Sequence, residues 1–115
     1  MKIAILVREE TMERCSCKGC LSAFYNKKDS FEGYGEDAEL IAFTHVGGDL
    51  DHKISRMIEN GVEVVHLSSC LRGKSEEYEE IGKRLSQYFH VVGYTHGSEV
   101  GKTKTAIKIK KGELL

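Results

Sequence analysis

The sequence has no proline and no tryptophan. It has no long apolar run either. The longest spans residues 3–7, whereas a membrane-crossing helix needs about 20 consecutive apolar residues. No single sign of charge dominates. Lys and Arg number 17 and Asp and Glu 18, for a formal net charge of −1. A domain-wide basic field is therefore missing, which argues against nucleic acid as a partner. Neither G-x-G-x-x-G nor G-x-x-x-x-G-K-[ST] occurs. Gly47-Gly48 precedes a predicted helix, but Asp49 and Asp51 would oppose a phosphate there, so nucleotide binding has little support.

With these classes set aside, 115 residues make one domain. Charged residues are 30% of the chain and hydrophobic ones 40%, a balance that suits a globular fold and argues against disorder. The start resembles a secretory leader only superficially. Its apolar stretch is short and Arg8-Glu9-Glu10 follows directly, so a strand is expected. The expected compartment is the cytosol, where stable disulfides are rare. The four cysteines then point to metal or redox chemistry before covalent staples.

Residues 2–8 are almost continuously apolar, as in a strand buried on both faces of a parallel sheet. Further strands are expected at 38–44, 62–67 and 90–94. Leu50, Ile54, Met57 and Ile58 follow helical spacing. Asp49 or Asp51 would cap that helix, and Asn60-Gly61 would stop it. Tyr78, Ile81, Leu85, Tyr88 and Phe89 form a second helical stripe, with Ser75 as the expected N-cap and Glu76 and Glu77 in the first turn. Leu21, Phe24 and Tyr25 suggest a shorter helix. Residues 29–37 read as an irregular loop with Phe31 or Tyr34 tucked in.

This alternation predicts a three-layer α/β/α domain. Its flavodoxin-like or Rossmann-like parallel sheet would have four core strands in the order 2-1-3-4. The domain is expected over 1–97. Residues 98–115 are lysine-rich and read as a C-terminal edge strand or a tail. Ligands bind beyond the carboxyl ends of such strands. The residues that follow the strands are Cys15, Cys17 and Cys20, then His45, then Cys70, then His96. All four cysteines and two of the five histidines are thus expected at one end of the sheet.

Cys15-Ser-Cys17-Lys-Gly-Cys20 puts three thiols within reach of one cation. Zinc takes four Cys or His ligands tetrahedrally, and iron–sulfur clusters take thiolates. Cys70 or His96 would complete the set. The Cys17/Cys20 pair also has C-x-x-C spacing, which suits thiol–disulfide exchange at a helix start. Thioredoxin-like proteins set a cis-proline against that pair, and this chain has none. Cys70 is alternatively a structural thiol at a strand end. A C-x5-R phosphatase loop is argued against by Glu76 in place of the arginine. His66 lies inside a strand and reads as a satisfied core histidine. A third reading is a non-enzymatic interaction module without metal, its lysine tail docking an acidic partner.

Several segments together resemble the CGGC-domain family, small bacterial and archaeal proteins regarded as metal-binding. They are Arg8 with Thr11 and Cys15, then Thr44-His-Val-Gly-Gly-Asp49. Next come Asn60-Gly-Val-Glu-Val-Val-His-Leu-Ser-Ser-Cys70, Tyr78-Glu-Glu-Ile81 and Gly93-Tyr-Thr-His-Gly97. The resemblance implies a metal-binding α/β domain in which Cys15, Cys20, Cys70 and His96 match family positions. Cys17 is an addition. The naming motif reads Val46-Gly47-Gly48-Asp49, without either of its cysteines. Glu9 stands where the family has a further cysteine, and a Cys-Pro-His segment gives way to Lys74-Ser75-Glu76. The resemblance thus implies a reduced site. Glu9 and Asp49 are possible oxygen donors to it. Zinc is expected first and an iron–sulfur cluster second. Cys15, Cys20 and Cys70 lead as ligands, Cys17 and His96 compete for the fourth place, and His45 is an outside candidate. Four ligands would make the site structural, and three plus a water would allow catalysis.

Overall fold

The computed structural model describes residues 1–114. Five strands form one sheet: β1 Lys2–Val7, β2 Glu39–His45, β3 Val64–Leu67, β4 His90–Val92 and β5 Lys108–Ile109. Their order is β2-β1-β3-β4-β5. The first four run parallel, in the predicted 2-1-3-4 arrangement, and β5 pairs antiparallel with β4. One residue is bulged out of the β1–β2 pairing between Ile3 and Ala4.

Side chains alternate across the sheet, so each core strand feeds two cores. On one face Ala4, Leu6, Val65, Leu67 and Val91 pack against three helices. These are α3 (Leu50–Glu59), α4 (Ser69–Lys74) and α5 (Tyr78–Leu85). On the other face Ile3, Ile5, Val7 and Val64 meet Cys20, Ala23 and Phe24 of α2 (Lys18–Tyr25), together with Phe31. Phe31 belongs to a single 3-10 turn, Asp29–Phe31. The short α1 (Glu9–Met12) follows β1 directly. The result is the expected three-layer arrangement. Among the described residues no helix is long and apolar enough to cross a membrane.

The local signals have identifiable outcomes. Asp49 caps α3 by accepting the His52 N–H at 3.0 Å, and Gly61 follows with φ +80°. The expected Ser75 cap is not formed. Ser75 ends α4 instead, and its Oγ accepts the Glu77 N–H at 3.2 Å. The apolar stripe through Tyr88 and Phe89 outruns its helix: α5 stops at Leu85, Phe89 is buried from the following turn, and Tyr88 is exposed. Helix α4 was not foreseen. It is six residues long, too short for a periodic stripe, and it contains Gly73.

The Tyr78 hydroxyl joins the two ends of the segment between β4 and β5. Tyr78 Oη donates to the Gly93 carbonyl at 2.6 Å and accepts the Ile107 N–H at 3.1 Å. Gly93 N–H donates in turn to the Ile107 carbonyl at 2.7 Å. Ala106 is buried and Ile107 packs on the α3–α5 core.

Candidate functional site

The carboxyl ends of β1, β3 and β4 surround a cleft of about 60 Å³. All four cysteines and His96 line it, above an apolar floor that includes Val7 and Met12. Cys15 follows α1, where its N–H bonds the Thr11 carbonyl at 2.9 Å. Its side chain is exposed, and its Sγ accepts the Cys17 N–H at 3.3 Å. That turn sets Cys17 in the left-handed region, φ 64°, at the N-cap of α2. A non-glycine residue holds that conformation at a cost of about 1 kcal/mol or more. Cys20 is buried one turn into α2, its Sγ 3.2 Å from Thr95 Oγ1. Cys70 lies in the first turn of α4, its Sγ 2.9 Å from Ser68 Oγ.

His96 leaves β4 and lays its ring over Gly19. A Cβ at position 19 would stand 2.9 Å from His96 Nε2, so the glycine makes room for the imidazole. Ser69 fixes the backbone around it. Ser69 Oγ donates to the His96 carbonyl at 2.6 Å and lies 3.3 Å from the N–H groups of Thr95 and His96.

Burial pushes the Cys20 thiol up to about 11, against the downward pull of the Thr95 hydrogen bond and with further upward pressure from the other three cysteines. Cys17 is also raised, first by burial and then by the charges Cys15 and Cys70 would carry.

The chemistry of the donor set fits a thiophilic cation: four thiols and an imidazole face one small space. The side chains are not preassembled around it. Among the described residues no three Cys, His, Asp or Glu side chains are grouped closely enough to hold a metal ion.

The remaining candidates are placed elsewhere. His45 ends β2, and its Nδ1 accepts the Gly47 N–H at 3.0 Å. That leaves no proton on Nδ1 for the Glu9 carboxylate 3.4 Å away. Glu9 lines a separate polar cleft with Arg8, Gly47, Lys74 and Glu76. Asp49 is committed to capping α3. Thr95, Ser68 and Ser69 are the site residues the sequence reading passed over. The one available signal was their position, directly after β3 and β4 beside Cys70 and His96.

The sequence model described as the CGGC domain matches residues 2–96, ending on the last residue that lines the cleft. No curated protein and no solved structure is significantly similar. The extent of the family match, carried by a parallel sheet that gathers Cys15, Cys20, Cys70 and His96 at one end, establishes that the chain belongs to the CGGC-domain family.

Proposed function

We propose that this protein binds a single thiophilic metal ion, zinc in preference to an iron–sulfur cluster, through Cys15, Cys20 and Cys70. The fourth donor is Cys17 or His96. The observation that carries this reading is the convergence of four thiols and an imidazole, from three separate parts of the chain, on one cleft of about 60 Å³. A site with an imidazole beside the thiols suits zinc, whereas clusters are held by thiolates. Membership of a family regarded as metal-binding supports it.

In the free protein the inner thiols are protonated, since burial raises both Cys17 and Cys20. A bound ion would supply Lewis acidity and would stabilise the thiolates. Each ligating thiol gives up its proton on binding, so affinity rises with pH. The thiols must also draw together, and Cys15, exposed on its turn, has the freedom to do so. The same surroundings count against thiol–disulfide exchange, because an exchange nucleophile is held below the usual thiol range.

Zinc competition titration against a chromophoric chelator tests the reading. Cys20→Ser and Cys70→Ser are expected to weaken binding at least about 100-fold, and His45→Ala to leave it unchanged. Wild-type affinity is expected to be tighter at pH 8 than at about pH 6. Cys17→Ser and His96→Ala identify the fourth donor by which of them loses affinity. Wild-type affinity in both the Cys20 and Cys70 variants would overturn the proposal.

A further inference from the structure

Two fully buried hydroxyls abut the sulfurs of Cys20 and Cys70. Thr95 Oγ1 lies 3.2 Å from Cys20 Sγ, and Ser68 Oγ lies 2.9 Å from Cys70 Sγ. Neither Thr95 nor Ser68 exposes any surface. A hydroxyl has one proton to give and two lone pairs to fill. Thr95 Oγ1 already accepts the Ser69 N–H at 3.4 Å. Ser68 Oγ already accepts the Leu71 N–H at 3.2 Å, as the N-cap of α4. Among the described residues each oxygen has one further hydrogen-bond partner, the cysteine sulfur. In the free protein either atom of each pair can donate. A thiolate has no proton, so once the sulfur is ionised the hydroxyl is the donor.

We infer that Thr95 and Ser68 are positioning residues of the metal centre, each giving an O–H···S hydrogen bond that orients its thiolate and draws off part of its charge. The inference rests on the metal reading above. It divides the centre into two unlike halves. Cys20 and Cys70 sit on hydroxyls whose own orientation is fixed by backbone N–H groups at the start of α4. Ser69 holds the Thr95 backbone in place through its own hydroxyl, 3.3 Å from the Thr95 N–H. Among the described residues the Cys15 and Cys17 sulfurs bond only within their own turn, to the Cys17 N–H and the Cys15 carbonyl. The first pair is therefore the fixed half of the site, and the second pair closes on it. Partners that orient metal ligands in this way are commonly worth 10- to 100-fold in affinity.

Cobalt(II) is the probe, because its sulfur-to-metal charge-transfer band reports the electron density on the ligating sulfur. Thr95→Val keeps the side-chain shape and removes the hydroxyl. It is expected to move the band to lower energy and to weaken cobalt binding about tenfold or more. Ser68→Ala is expected to act in the same direction. Thr95→Ser restores the hydroxyl and is expected to restore band and affinity, which a purely structural role would not require. If Thr95→Val fails to fold, the Ser68→Ala spectrum decides. An unchanged band and affinity in the hydroxyl-free variants would overturn the inference. If the wild type takes up no cobalt, the metal reading falls, and the hydrogen bonds are judged on the metal-free protein. Iodoacetamide is then expected to alkylate Cys70 several-fold more slowly in Ser68→Ala than in the wild type at one fixed pH. Equal rates would overturn the inference.

Discussion

His66, on β3, is buried without a charge. Its Nδ1–H points at the Tyr94 carbonyl, 3.2 Å away, and its Nε2 accepts the Tyr34 hydroxyl at 2.9 Å. Phe31 stacks on the ring at 4.1 Å between centroids. Burial pushes the imidazole down to about 4, with the Tyr94 carbonyl pulling weakly the other way. The unfolded chain titrates near 6.5. Between those values the unfolded state binds the extra proton, so the contribution of neutral His66 is complete above about pH 6.5 and fades as pH falls toward 4. A shift of that size corresponds to about 3 kcal/mol. Thermal unfolding of wild type and His66→Gln across this window is the check. The variant is expected to be less stable at pH 7, with the gap narrowing toward pH 4. A gap that does not change with pH would contradict this account. At this scale the sequence was informative: a histidine within a run of Val and Leu has no solvent to face, and Tyr34 and Ser30, whose Oγ lies 3.1 Å from the His66 Nδ1, come from the loop expected to tuck an aromatic inward.

At the scale of elements, the junction of α5, β4 and β5 depends on a missing side chain. A Cβ at Gly93 would collide with the Tyr78 hydroxyl and stand 2.7 Å from the Ile107 nitrogen. The same hydroxyl bonds the residue that follows β4 and the residue that precedes β5. Gly93→Ala is therefore expected to destabilise the protein by about 2 kcal/mol or more, through overpacking and a lost buried hydrogen bond. Hydrogen exchange is expected to rise at Ile107 and Ile109 before the rest of the sheet. Gly82→Ala meets the flexible end of the Ile107 side chain instead and is expected to cost less. Equal effects of the two substitutions would contradict the junction's role. The strands were legible because β1 and β3 are buried on both faces and carry runs of Val, Ile and Leu. The tail was legible only as two alternatives, because Ile107 and Ile109 alternate with lysines over too few residues to separate an edge strand from a loose end. Ser75 misled because a serine before two glutamates has the form of an N-cap, and the prior helix that claims it has no stripe to announce it.

For the whole molecule, parallel strands are what make the site. They bring residues 15–20, 70 and 96 to one end of the sheet, although these are far apart in sequence. That gathering could be read from strand order and cysteine position alone. What could not be read was lateral placement within that end. His45 leaves β2, an edge strand, and its loop turns toward Glu9 rather than across β1 toward the thiols. Nor could the hydroxyls of Thr95 and Ser68 be singled out. Serine and threonine are common after strands, and only the folded geometry aims these two at sulfur. The most direct test of the central claim is metal content, by elemental mass spectrometry on untagged protein purified without oxygen, beside a count of titratable thiols. The account predicts about one zinc ion per chain, lost in Cys20→Ser and in Cys70→Ser. Protein free of metal, with all four thiols titrating freely, would contradict it.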